Sequence, residues 1–204
     1  MATMDEHALS PELRARIDQQ MAFLMEADRL KSVLRATEIS DNSRYENSAE
    51  HSWHLALFAL VLAEHAPEPV DVSRVIMMLL LHDLVEIDAG DTPIFGEVDS
   101  AAVAAAEARA ADRIFGLLPP EQGAELRAIW EEFEANQSAD ARFAKSVDRF
   151  QPPNLNIANG GGSWTDYDVT EDVFRTKVSA KIQSGAPRLM SWLNPKITAF
   201  FRGN

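Results

Sequence analysis

The sequence predicts an all-α fold in a single domain, and three observations carry that reading. Apolar residues recur at helical spacing through most of the 204 residues. No stretch alternates apolar and polar residues beyond a few positions. No repeat of about 20–50 residues and no long linker divides the chain.

The elements follow in order. Ser10 before Pro11 marks a helix start, and Leu13, Ile17, Met21, Leu24 and Met25 continue it to about Arg35. Residues 36–47 read as a polar turn. Asn47 followed by Glu50 predicts a capping box opening a helix that runs to about His65. Pro67 and Pro69 separate it from an apolar helix over about Asp71–Ala89, closed by Gly90 and Pro93. The Ala/Glu/Arg-rich segment 97–118 is a helix on propensity, and 119–135 carries the stripe Leu126, Ile129, Trp130, Phe133. A helix over about Ala139–Phe150 is expected to resume near Asn154. Residues 158–168, with three glycines, read as a loop, and helices over about 170–183 and 186–201 close the chain.

Composition narrows the function. Nineteen Lys and Arg against 32 Asp and Glu give a net charge of −13, which argues against a duplex nucleic-acid partner or a basic membrane-surface protein. Residues 86–140 alone carry a net −10, whereas 141–204 are net basic, so the acidity leaves room for one small anion held by local cations. With no cysteine, disulfides, thiolate nucleophiles and zinc ribbons are excluded. The longest apolar run, Val75–Leu81, is far short of the roughly 20 residues a membrane span needs. Asp5 and Glu6 stand where a secretory leader would be basic and then apolar, so a cytoplasmic location is the expectation.

The chemistry concentrates around His82 and Asp83. On a helix these lie three and four residues from Glu86, placing all three on one face. Leu79, Leu80, Leu81, Leu84, Val85 and Ile87 surround them, so the helix is buried and its carboxylates need a cation, either a metal or an Arg/Lys. The helix from residue 48 opens with SAEHSWH, adding two histidines, and Asp148 interrupts the apolar pattern of ARFAKSVDRF. Two imidazoles and two carboxylates suit a divalent first-row transition ion and leave positions open for water and substrate. H-E-x-x-H, paired Glu-x-x-His, Walker-A and G-x-S-x-G patterns are all absent. His54 reads either as a substrate contact or as a core histidine beside Trp53. Lys145 either contacts phosphate or offsets Asp148. Glu50 reads as a cap, Arg44 as a positioning or surface residue, and Trp164 as a pocket or core residue.

The motifs LKSVLR, RYENSAEHSWH, HDLVEIDAGDTP and AKSVD together resemble the HD-domain metal-dependent phosphohydrolases, and within them the 5′-deoxynucleotidase-like branch. The likeness covers about residues 25–150. It implies an all-α HD-domain helical bundle spanning 1–204, with C-terminal helices 170–201 packed on it. It implies metal ligands His51, His82, Asp83 and Asp148, holding one divalent ion (Mn, Co, Ni, Fe or Zn). It also implies Arg35 as the phosphate contact and Glu86 and Asp91 as the acidic groups beside attacking water and leaving group. Which of the two acts as base or acid stays open. The implied activity is removal of the 5′-phosphate of nucleoside monophosphates, deoxyribonucleotides first, by a metal-bound water. The alternatives are another phosphate ester (a nucleoside triphosphate, alarmone or cyclic nucleotide) or a metal-binding regulator without catalysis. The expected partners are a small nucleotide and a second copy of the chain, with no nucleic acid and no membrane.

Overall fold

Ser10 starts the first helix. In the computed structural model, which describes residues 9–96 and 99–203, its hydroxyl accepts from the Leu13 amide and Pro11 opens α1 (Pro11–Ala27). The periodicity carries α1 to about Arg35, but the structure ends it at Ala27. A 3-10 turn over Asp28–Ser32 leads into β1 (Leu34–Glu38), which pairs antiparallel with β2 (Tyr45–Asn47). The segment expected as a polar turn is therefore half of a hairpin. Its buried members are the polar Thr37 and Glu46, while Leu34 and Tyr45 face out. An inverted pattern of this kind gives no apolar alternation to find.

The capping box forms as the sequence predicts. Asn47 Oδ1 accepts from the Glu50 amide at 3.0 Å and Glu50 Oε1 accepts from the Asn47 amide at 2.8 Å, opening α2 (Ser48–Leu62). Asp71 caps α3 (Val72–Leu81). The expected continuation to Ala89 is interrupted by a 3-10 turn over His82–Val85, followed by α4 (Glu86–Ala89) and Gly90 at φ 77°. The cause is local: His82 Nδ1 lies 2.8 Å from the Leu79 carbonyl and takes the place of a ladder amide. In the tightened turn residues three apart eclipse, which stacks Glu86 over Asp83.

Asp99 caps α5 (Ser100–Phe115), and α6 (Pro120–Ala135) ends on Asn136 in the left-handed region. Glu97 and Val98, where the sequence starts the α5 unit, lie outside the described residues. α7 (Ala139–Ala158) runs through Pro152 and Pro153, where the sequence predicts a break. The prolines remove the amides that would bind the carbonyls of Asp148 and Arg149. The helix survives because packing outweighs this loss: α2, α3, α6 and the C-terminal helices over Ala180–Gly185 and Pro187–Arg202 all lie against it, and Asn154 Nδ2 donates to the Phe150 carbonyl at 2.7 Å.

The glycine segment is only partly a loop, since α8 (Ser163–Asp166) lies inside it. Gly162 has φ 46° and ψ −129°, and a Cβ there would stand 2.6 Å from Asn156 Oδ1. Gly162→Ala is expected to lower stability by about 1–3 kcal/mol, read as a fall in melting temperature; an unchanged melt would contradict the account. α9 (Glu171–Phe174), a π-turn over Arg175–Ser179, α10 (Ala180–Gly185) and α11 (Pro187–Arg202) complete the chain. The core runs along α7, where Phe143 and Val147 meet Leu55, Leu79, Ile182 and Leu193. No described helix is long and apolar enough to cross a membrane.

Candidate metal centre

Three elements converge on one buried point. α2 contributes His51 from its first turn, the 3-10 turn after α3 contributes His82 and Asp83, and α7 contributes Asp148. All four are buried, His51 completely. His51, His82 and Asp83 each offer a ligand atom within 4.8 Å of the others. Asp148 Oδ1 lies 3.1 Å from His51 Nε2 and 3.9 Å from His82 Nε2, and Asp83 Oδ1 lies 2.9 Å from His82 Nε2.

This donor set fits a divalent cation on two grounds. With Nδ1 donating to the Leu79 carbonyl, a neutral His82 presents a lone pair at Nε2, and that sealed atom has no hydrogen-bond partner. A lone pair facing carboxylate oxygens at these distances calls for a cation between them, and a ring held by its second nitrogen is the usual arrangement of a metal-bound imidazole. The second ground is charge: Glu46, Asp83, Glu86, Asp91 and Asp148 crowd around one buried guanidinium, that of Arg35. Imidazole and carboxylate donors match a first-row transition ion.

Arg35 reaches the cluster from β1. Its Nη1 lies 3.1 Å from Asp83 Oδ2 and 3.5 Å from Asp91 Oδ1, and its Nε lies 3.6 Å from Glu46 Oε2. Glu86 accepts a 2.6 Å hydrogen bond from the Ser48 hydroxyl.

The electrostatics separate the acids into two sets. Burial pushes Glu86 up to about 8, reinforced by the charges of Asp83 and Asp91 and opposed by Arg35. Asp91 is raised by burial and by Asp83. Burial would also raise Asp83 and Asp148, but His82 and Arg35 hold Asp83 down to about 2, and Arg149 with the two imidazoles holds Asp148 well below the usual carboxylate range. Burial would lower His82, yet Asp83 beside it lifts it to about 9, so a divalent ion binds there in exchange for the His82 proton. Two carboxylates thus stay ionised to bind a cation, while two others titrate upward, as proton-transfer groups do.

A cavity opens on this cluster, lined by His82, Asp83, Glu86, Asp91, Lys145 and Asp148 among others. Lys145 pairs with Glu134 at 3.0 Å and lies over the Phe133 ring. Arg149, which sequence reasoning missed, also lines this cavity, 3.4 Å from Asp148 Oδ2. Its signal was present, one residue after the aspartate in a helix whose opposite face is apolar. His54 lines neither this cavity nor its neighbour: its ring packs edge-on against Phe58, Nδ1 lies 3.2 Å from Gln151 Nε2, and burial lowers its pKa. Arg44 is engaged with Glu50 at the surface, so the cap reading of Glu50 and the surface reading of Arg44 agree. Trp164 is buried against Phe174, Phe200 and Phe201. It also lines a second cleft with Phe95, Pro152, Pro153 and Tyr167, which shares Arg35, Asp91, Thr92 and Arg149 with the first.

Comparison with known proteins agrees with this geometry. The family model described as "HD domain" matches residues 27–190. The 5′-deoxynucleotidase HDDC2 proteins of Homo sapiens and Bos taurus are 29% and 30% identical over 130 residues, 63% of this chain and 62% of each relative. The chain thus matches a little under two thirds of the length of these curated relatives. A crystal structure from Magnetospirillum magnetotacticum, described as a predicted metal-dependent phosphohydrolase, is 46% identical with a TM-score of 0.86, covering 92% of this chain and 96% of that one. A Pyrococcus furiosus protein at 18% identity and TM-score 0.59, covering 86% of this chain and 99% of that one, shares the fold. The all-α bundle, the buried His-Asp cluster and the family match over most of the chain place it in the HD-domain family.

Proposed function

We propose that this chain is a metal-dependent phosphohydrolase that removes the 5′-phosphate of nucleoside monophosphates, deoxyribonucleotides foremost. One observation carries the reading. The acidic cavity shares Arg35, Asp91, Thr92 and Arg149 with a cleft lined by proline and aromatic side chains, which supports a site that takes a phosphate at one end and a planar apolar group at the other.

His51, His82, Asp83 and Asp148 would hold a divalent ion, which would supply Lewis acidity and acidify water. The chain's own residues do the rest. Arg35, with Lys145 and Arg149 at the rim, holds the phosphate oxygens and offsets the charge that builds on them. Glu86, held by Ser48 and raised by burial to about 8, and Asp91, also raised by burial, pass the protons: one takes the proton of the attacking water as the new P–O bond forms, and the other gives one to the 5′-oxygen as the old P–O bond breaks. The family names of the relatives support the phosphohydrolase class, and the 5′-deoxynucleotidase name supports the substrate.

Metal-stripped protein supplied with Mn²⁺, Co²⁺, Ni²⁺, Zn²⁺ or Mg²⁺ and a panel of 5′-mono-, di- and triphosphates and cyclic nucleotides tests this. Phosphate release from 5′-monophosphates is expected. Release from other esters alone would move the site to that class, and no hydrolysis with any metal would leave a binding protein. Glu86→Gln is expected to keep bound metal but lose rate; a wild-type rate would remove Glu86 from the mechanism.

Pairing of two copies belongs to the same reading. Leu13, Ile17, Met21, Leu24 and Met25 form an exposed stripe on α1, and Trp53, Leu57, Leu60 and Val61 an exposed face on α2. α2 packs against the turn that follows α1. Apolar surface of this extent marks an interface. Two such faces carry no charge in their apolar stripes, so two copies of a chain of net −13 can meet there with little repulsion. Light scattering is expected to give a dimer, and Leu24→Glu with Leu60→Glu a monomer. A monomeric wild type would contradict the pairing.

A further inference from the structure

Glu46 lies at the middle of β2, 2% exposed, beside the buried Gln151. Its Oε1 accepts from Gln151 Nε2 at 2.8 Å. Its Oε2 stands 3.1 Å from His51 Nδ1 and 3.6 Å from Arg35 Nε. These three atoms are sealed from water, lie off the line of a hydrogen bond, and have no other partner among the described residues.

We propose that Glu46 is a positioning residue whose carboxylate holds the metal ligand His51 in the tautomer that leaves Nε2 free for the ion, and orients Arg35 through the same oxygen. His51 stands between two carboxylates, Glu46 3.1 Å from Nδ1 and Asp148 in hydrogen-bond geometry at Nε2, where an ion would take the place of that bond. A neutral imidazole has one N–H. With the proton on Nε2, the lone pair of Nδ1 meets the lone pairs of Glu46. With the proton on Nδ1, Glu46 accepts it after a small ring rotation, and the Nε2 lone pair turns to the point shared by His82, Asp83 and Asp148. A carboxylate behind a metal-bound imidazole acts in this way, fixing the ring and raising its basicity. Arg35 gains from the same atom, because Nη1 faces Asp83 and Asp91 while Nε faces Glu46, which sets the plane of the guanidinium. The hairpin therefore delivers Arg35 and the carboxylate that orients it from neighbouring strands, next to the Leu34–Asn47 pair.

The inference rests on the metal ligands assigned above, and the test separates the two. Co²⁺ binding is measured on metal-stripped wild type, Glu46→Gln and Glu46→Asp. The His51 tautomer is read from ¹⁵N shifts of the metal-stripped proteins. Glu46→Gln keeps the volume but removes the charge and offers an amide that tolerates either tautomer. It is expected to bind Co²⁺ about 10- to 100-fold more weakly and to lose the fixed Nδ1–H signal of His51. Glu46→Asp, which keeps the charge, is expected to bind more tightly than Glu46→Gln. Equal affinity in wild type and Glu46→Gln overturns the inference alone, as does an unchanged His51 signal or no recovery with Asp. A wild type that binds no Co²⁺ takes down the metal centre with it.

Discussion

Asp148→Asn is expected to leave a folded protein that neither retains a divalent ion nor releases phosphate. Asp148 lies within 4 Å of both imidazoles and is the α7 contribution to the cluster. Its charge is held far below the usual carboxylate range, so the ionised form is what the site is built to present. The amide keeps the volume and one acceptor but removes the charge that offsets the cation. The side chain sits at the centre of the packed bundle, where replacement by Ala would add a cavity cost; Asn avoids this confusion. Elemental analysis after dialysis, with phosphate release on the same sample, checks the expectation. Wild-type metal content in Asp148→Asn would reject it as a ligand, and Asp83→Asn is expected to behave alike.

Arg35→Ala is expected to damage both stability and rate. The guanidinium is buried among Glu46, Asp83, Glu86 and Asp91, and removing one partner of a buried ionic cluster leaves the others uncompensated, at a cost of about 3–5 kcal/mol. Supplying the divalent ion restores part of this stability if the cluster is its site. Arg35→Lys separates the two effects. It keeps a positive charge, so the melting temperature is expected to recover substantially. It loses the planar fork that faces Asp83 and Asp91 on one side and Glu46 on the other, so kcat/KM stays low. Equal rates for Lys and Arg at this position would reduce Arg35 to a structural counter-ion.

Much of the fold is written in apolar spacing and caps. Ser10, Asn47 with Glu50, and Gly90 stand where the structure uses them, and the family match over residues 27–190 agrees with an HD bundle. Three features escaped because apolar spacing does not mark their causes. The hairpin turns Thr37 and Glu46 inward, polar residues that earn their burial only beside Arg35, His51 and Gln151. The helix break at His82 depends on one ring nitrogen choosing the Leu79 carbonyl. α7 passes through Pro152 and Pro153 because five neighbouring helices pack on it. The candidate site was legible to the extent that its residues were isolated polar groups in apolar helices, as His82, Asp83 and Asp148 are. Glu46 was not, since it sits in a polar stretch where burial leaves no mark on the sequence, and Arg149 was marked only by standing next to Asp148. His54 shows the reverse, a histidine one turn from His51 whose ring points to Phe58 and Gln151 instead.

Anomalous diffraction from crystals of the metal-stripped protein soaked in Co²⁺ tests the central claim most directly. The account expects one strong peak per chain, bounded by His51 Nε2, His82 Nε2 and the carboxylates of Asp83 and Asp148, with Arg35 and Glu86 outside the coordination sphere. A peak held by other residues, or none at this cluster, would contradict it.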